Sequence, residues 1–305
     1  MKSKWLCFIF IFTFTLANTQ TNLDSLYSVW KDKTQADSSR IKALDDYIWF
    51  GYLYSNPDKA LILCDTLFEF SKKSGKKKVM ATALNMKGSA YRVKSEYANA
   101  LDYYQRSLKI REDIEDKKGI ASTLGNIGTT YYFQGDYSEA LDYHQRSLII
   151  KKEIEDKKGI AGSLGNIGNI YSDQGNYPQT LDYYQRSLKI REEIGDKEGI
   201  AAMLNNIGII YSDYGNYPQA MDYYGRALKI FEEIGNKHGV SYVLNNIGVI
   251  YRKQGNYPKA MDYFLRCIKI DKEIGNKQGI AHTHGNIGII YRNQGNYPSC
   301  GQWTR

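Results

Sequence analysis

Residues 159–198 read GIAGSLGNIGNIYSDQGNYPQTLDYYQRSLKIREEIGDKE, and this stretch recurs along the chain at a fixed interval. Gly119, Gly159, Gly199, Gly239 and Gly279 are spaced by 40 residues. Five full copies run from Val79 to Gln278 without an insertion, and a sixth begins at Gly279 and stops half-way. Residues from about Asp37 to Lys78 form a degenerate earlier copy, with Asn56-Pro57-Asp58-Lys59-Ala60 in the place of Asn-Tyr-Pro-x-Ala. A period of this size implies stacked supersecondary units in place of separate globular domains.

Each copy predicts two helices. Leu164, Ile167, Gly168 and Tyr171 fall at i, i+3, i+4 and i+7, one face of a helix. Gly175 breaks the pattern, Asn176 suits an N-cap, and Pro178 falls in the first turn, where a missing N–H costs nothing. Leu181, Tyr184, Leu188 and Ile190 give the second helix its inward face. Gly195 suits a left-handed stop, and Asp196 can cap the next first helix. Helices of about 18 residues, about 27 Å long, follow. Neither can bury its face alone, so stacking is obligatory.

These residues resemble the tetratricopeptide repeat family. Leu204, Ile207-Gly208, Tyr211, Ala220, Tyr224 and Ala227 stand where that family has a large apolar residue, Leu-Gly, Tyr, Ala, an aromatic and a small residue. The 40-residue unit, with no proline closing the second helix, is similar to the repeats of kinesin light chains and the LGN/Pins adaptors. The resemblance implies an all-α fold, a right-handed α-solenoid of antiparallel helix hairpins with first helices lining a concave groove. It also implies a non-catalytic scaffold that binds a protein or an extended peptide in that groove.

The expected organisation is a signal peptide over residues 1–19 and an N-terminal helical segment with the degenerate repeat over 20–78. Five repeats over 79–278, an incomplete sixth over 279–298 and an aberrant tail over 299–305 follow. Lys2 and Lys4 precede an apolar run from Trp5 to Leu16, followed by Ala17, Asn18 and Thr19. That pattern predicts export, periplasmic or secreted, with an uncleaved membrane anchor as the alternative. The run is shorter than the roughly 20 apolar residues of a spanning helix, and no other stretch could span a membrane. The formal net charge is +8 and two of the cations are Lys2 and Lys4. The remaining excess is weak ground for nucleic-acid binding, and none is expected. Four scattered cysteines do not make a disulfide framework.

The 27 tyrosines follow from the repeat, because most recur at fixed positions such as Tyr91, Tyr131, Tyr171, Tyr211, Tyr251 and Tyr291. Such a stripe predicts core packing. His144 stands where other copies have Tyr104, Tyr184, Tyr224 and Phe264, so it reads as a packing residue. His282 and His284 are two apart in a helix and point away from each other. Cys267 replaces Ser107, Ser147, Ser187 and Ala227, a small inter-helix position. The chain carries no phosphate loop, nucleophile elbow or metal-ligand spacing, so no catalysis, metal or cofactor is expected. The carboxylates Glu232 and Glu233 read as part of a solvated face with i,i+4 pairing.

Asn126, Asn166, Asn206, Asn246 and Asn286 fall at one position of successive first helices, and Met86 takes that place in the first copy with Asn85 beside it. An amide offers donors and an acceptor to a peptide bond. The resemblance implies that these asparagines contact a bound peptide's backbone; the alternative is a ladder that links neighbouring helices. Further along the same helices stand Arg92-Val93, Tyr132-Phe133, Ser172-Asp173, Ser212-Asp213, Arg252-Lys253 and Arg292-Asn293. Asp173, Asp213, Arg252, Lys253 and Arg292 therefore join the candidate peptide-binding set. This passage from basic through aromatic and acidic to basic suits an extended partner of complementary charge.

After Pro298 the repeat demands x-Ala-Met-Asp, and the chain gives Ser299-Cys300-Gly301-Gln302-Trp303-Thr304-Arg305. Gln-Trp-Thr codons read one frame over can encode Ala-Met-Asp, so a frameshift or truncation is expected. The alternative function is accordingly the sensory half of a bacterial signalling protein lacking its kinase, cyclase or transcription-regulator output domain.

Overall fold

The computed structural model describes residues 16–295. Among the described residues there are fourteen α-helices, one π-helical segment and no strand. Most of the expected signal peptide and the whole of the expected aberrant tail lie outside the described residues. The chain divides into two compact units, Met1–Asp173 and Gln174–Arg305.

The first unit holds α1 (Leu16–Lys31), α2 (Asp37–Asp46), a π-helical turn (Tyr47–Tyr52) and α3 (Pro57–Lys73). It continues with α4 (Lys77–Val93), α5 (Tyr97–Asp113), α6 (Lys117–Gln134), α7 (Tyr137–Glu153) and α8 (Lys157–Asp173). The second unit holds α9 (Tyr177–Glu193), α10 (Lys197–Asp213), α11 (Tyr217–Glu233), α12 (Lys237–Lys253), α13 (Tyr257–Glu273) and α14 (Lys277–Asn293). The pairs α4/α5, α6/α7, α10/α11 and α12/α13 are the repeat hairpins.

Short polar side chains start the helices. Asn176, Asn216 and Asn256 each accept from the backbone N–H three residues on, ahead of a proline in the first turn. Asp196 accepts from Gly199 N–H at 3.1 Å, as the sequence predicts. Gly195 ends α9 at φ +67°, while Asp196 N–H reaches back to the Arg191 carbonyl at 3.0 Å. That is a left-handed helix stop with the backbone carbonyls satisfied. Glu115 and Glu155 occupy the same turn at φ +55° and +54°, a strained region for a residue with a Cβ.

The hairpins close on a glycine–aromatic contact. A Cβ on Gly208 would sit 2.6 Å from the Tyr224 ring, and one on Gly248 2.6 Å from that of Phe264. Only a bare helix surface lets the second helix approach so closely. His144 fills the corresponding slot against Gly128, nearly fully buried. Burial, aided by the Lys151 charge, pushes its imidazole down to about 4, so it packs as a neutral ring. Tyr91, Tyr131, Tyr211 and Tyr251 stack on Tyr103, Tyr143, Tyr223 and Tyr263 of the partner helix at 5.3–5.5 Å. Ser107 and Ser147 donate to the first-helix carbonyls of Ala81 and Ala121 at 2.7 Å. Cys267 is buried among Ser241, Thr283 and Asp271 at the same level.

Two features depart from the sequence pattern. The degenerate copy keeps its second-helix start, with Asn56 accepting from Lys59 N–H at 3.1 Å. Its first helix instead widens into the π turn, where Leu53 N–H bonds to the Ile48 carbonyl and the Tyr47 and Tyr52 hydroxyls meet at 3.0 Å. The Glu positions at second-helix ends pair mainly across the stack: Lys197 with Glu233 at 3.7 Å and Lys237 with Glu273 at 3.0 Å. The i,i+4 pairs involve Asp102–Arg106, Asp182–Arg186 and their equivalents instead.

Candidate functional site

Within the first unit α4, α6 and α8 touch in succession, and within the second α10, α12 and α14 do. First helices thus form one continuous face in each unit. On α12 that face carries Tyr242, Asn246, Val249 and Lys253 at helical spacing.

The asparagine row is not uniform. Asn126 Nδ2 donates to Asn85 Oδ1 at 3.2 Å, Asn246 to Asn205 at 2.9 Å, and Asn286 to Asn245 at 3.1 Å. Each bond joins one first helix to the preceding one, across 41 residues. The acceptors Asn85, Asn205 and Asn245 are buried, as is Asn286. Asn126 and Asn246 are half-buried. These three pairs form the helix-linking ladder.

Asn166 and Asn206 differ. The residue 41 positions before Asn166 is Gly125, which offers no acceptor side chain. Asn166 is exposed and forms no side-chain hydrogen bond among the described residues. Asn206 is half-exposed, and its oxygen accepts only a long 3.5 Å bond from Asn205. The sequence reading missed Asn205 and Asn245 as partners. The signal was present in the alternation Asn85, Gly125, Gly165, Asn205, Asn245 just ahead of the noted row.

A second row of contacts joins the C-terminal ends of first helices with offsets of 40 or 41 residues. The Arg92 guanidinium lies over the Phe133 ring at 5.7 Å. Tyr132 donates its hydroxyl to Asp173 at 2.7 Å. Burial raises the Asp173 carboxyl, and the Tyr132 hydrogen bond opposes that rise. Lys253 bonds Asp213 at 3.4 Å and reaches Ser212 at 3.5 Å. Asp173, Asp213 and Lys253 therefore spend part of their polar capacity inside the array. Arg252 is half-buried and Arg292 exposed.

Among the described residues no group of three His, Cys, Asp or Glu could hold a metal ion. None of the described helices is long and apolar enough to cross a membrane.

Helix hairpins stacked in sequence order, with the first helices bonded to one another, define an all-α repeat solenoid. The chain belongs to the tetratricopeptide repeat family, whose sequence pattern matches residues 79–153, 159–233 and 239–299. No curated protein matches the chain. Among solved structures, it is similar to a Rap protein complexed with competence and sporulation factor, at 18% identity and TM-score 0.65, covering 92% of this chain and 83% of that one. NprR in complex with its cognate peptide NprX is similar at 16% identity and TM-score 0.61, covering 93% and 82%. Kinesin light chain repeats from Podosopora anserina are similar at 11% identity and TM-score 0.52, covering 66% and 99%. At these identities the likeness is one of fold.

Proposed function

We propose that the chain is a non-catalytic interaction scaffold that seats an extended peptide, or an extended segment of a protein, along its first helices. The observation that carries this reading is the Asn166 side chain: a polar group on the repeat face, exposed and unbonded, where the equivalent Asn126 bonds Asn85 of the preceding first helix. A primary amide can donate to a peptide carbonyl and accept from a peptide N–H at once. The similar NprR structure, in complex with its cognate peptide, and the Rap structure, complexed with competence and sporulation factor, support such a ligand class.

The test uses the full chain and a fluorescein-labelled, amidated nonapeptide library. The variant Asn166→Ala should weaken binding about twofold to tenfold, the equivalent of one lost hydrogen bond. Its melting temperature should stay within about a degree of the parent. Unchanged binding, or a variant that melts early, would overturn the reading. Export remains part of the proposal, supported by Lys2, Lys4 and the apolar run that follows. Recovery of secreted protein with its amino terminus near Asn18 or Gln20 would support it, and an intact Met1 in the cytoplasmic fraction would oppose it.

A further inference from the structure

Asp45 of α2 stands one 40-residue period before Asn85, at the acceptor place of the asparagine ladder. Asn85, Asn205 and Asn245 each receive a bond there from the asparagine 41 residues on. Forty-one residues on from Asp45 is Met86, a thioether with no proton to give. Met86 is buried and shares an apolar cluster with Leu44 and Ile48, on either side of Asp45. The Asp45 Oδ1 is buried without a partner, and its side chain forms no hydrogen bond or ion pair among the described residues. The rung between α2 and α4 thus has an acceptor and no donor.

An unpaired carboxylate in such a place loses its hydration without compensation, whereas the neutral acid loses far less. Burial, with the Asp46 charge adding to it, pushes the Asp45 carboxyl up to about 6. The elements packed on α2 are α1, the π turn and α3. Of the charged side chains on these helices and on α2, all but Asp45, Asp46 and Arg40 are exposed. Arg40 lies over the Trp30 and Phe70 rings. Lys87 of α4 pairs with Asp65 at 2.7 Å. The π turn offers the Tyr47 and Tyr52 hydroxyls, which bond each other, and the Cys64 thiol of α3 is pushed up by burial and stays neutral.

We propose that Asp45 makes the α1–α2 end of the first unit pH-sensitive: with its carboxyl protonated α1 and α2 stay docked on the π turn and α3, and on ionisation they loosen while the repeats from α4 onward hold. The fold favours the acid form, so stability from this site is full below about pH 4 and is lost as pH rises through 6. His144 titrates in the opposite sense and lies in α7, so a measurement resolved by segment separates the two.

Amide hydrogen exchange on the full chain at pH 5 and pH 7.5, corrected for the intrinsic pH dependence of exchange, tests it. Protection of α1 and α2 should fall about tenfold between the two, while that of α12 should not fall. Asp45→Asn keeps the shape and removes the charge, so its α1 and α2 should be as protected at pH 7.5 as at pH 5. Met86→Asn supplies the missing donor and should raise their protection at pH 7.5 with Asp45 in place. Should Met86→Asn unfold the first unit, Asp45→Asn alone decides. Equal protection of α1 and α2 at both pH values in the parent overturns the proposal. So does an Asp45→Asn protein that still loosens at pH 7.5, or a loosening in which α12 takes part equally.

Discussion

Asn246 donates its side-chain amide to Asn205 Oδ1 at 2.9 Å, joining two first helices one repeat apart. Asn205 is almost fully buried, so this bond is the main outlet for its oxygen. Removing the donor strands a buried acceptor, which costs more than the bond alone contributes. Asn246→Ala should therefore destabilise the protein by about 1–3 kcal/mol in denaturant melts. Asn166→Ala, made on an unbonded side chain, should leave the melts unchanged.

Replacing His144 tests its role as a packing ring. An imidazole with its folded value pushed down to about 4, against an ordinary value of 6.5, binds protons more readily in the unfolded chain. Stability from this site is full above pH 6.5 and falls away as pH drops towards 4. The loss amounts to about 3 kcal/mol at the acid end. His144→Phe copies the Phe264 arrangement and should flatten that part of the stability–pH curve, read by thermal melts between pH 4 and pH 7.

Gly208→Ala should be among the most damaging single-methyl changes in the chain. The new Cβ would lie 2.6 Å from the Tyr224 ring, and Tyr224 is itself buried with no room to retreat. Overpacking of this kind costs about 1–3 kcal/mol, measurable as a lowered melting temperature. The control Gly162→Ala meets nothing within 4 Å and should be neutral or slightly stabilising.

Glu155 is exposed and holds the turn before α8 at φ +54°. Its counterparts in the second unit, Gly195, Gly235 and Gly275, take the same conformation without strain. Glu155→Gly should raise stability by about 0.5–1 kcal/mol, with Glu115→Gly adding a similar gain. A fall in melting temperature for either would show that the glutamate side chain stabilises the turn by more than its backbone strain costs.

An ionic pattern shows how far the sequence could be read. Arg111 and Arg191 pair with Asp116 and Asp196, the residues that precede the next first helix. Where Phe231 and Asp271 replace the cation, the cap becomes Asn236 and Asn276. The cap itself was legible, since a short polar side chain before a helix has few other uses. Its second duty was not, because the cation sits at the end of the preceding helix and meets the cap only once the chain has turned. The π turn at Tyr47–Tyr52 was likewise invisible. Its residues keep a helical pattern of apolar side chains, and Leu23 of α1 stands so near that a Cβ on Gly51 would lie 2.9 Å from it.

The sequence by itself determined the repeat, the helices, their caps and stops, and the family. Each of these is set by neighbours within about one helix length, so a 40-residue period records them directly. The tertiary structure alone decided which polar groups are spent and which remain available. Asn126, Asn246 and Asn286 are bonded, Asn166 is not, and Lys253 is paired while Arg252 and Arg292 stand without a carboxylate. Those outcomes depend on contacts 40 or 41 residues apart, between each position and the one beside it on the neighbouring first helix. A side chain's hydrogen-bonding capacity is a property of its residue type, but whether that capacity is met depends on which residue the stack places opposite.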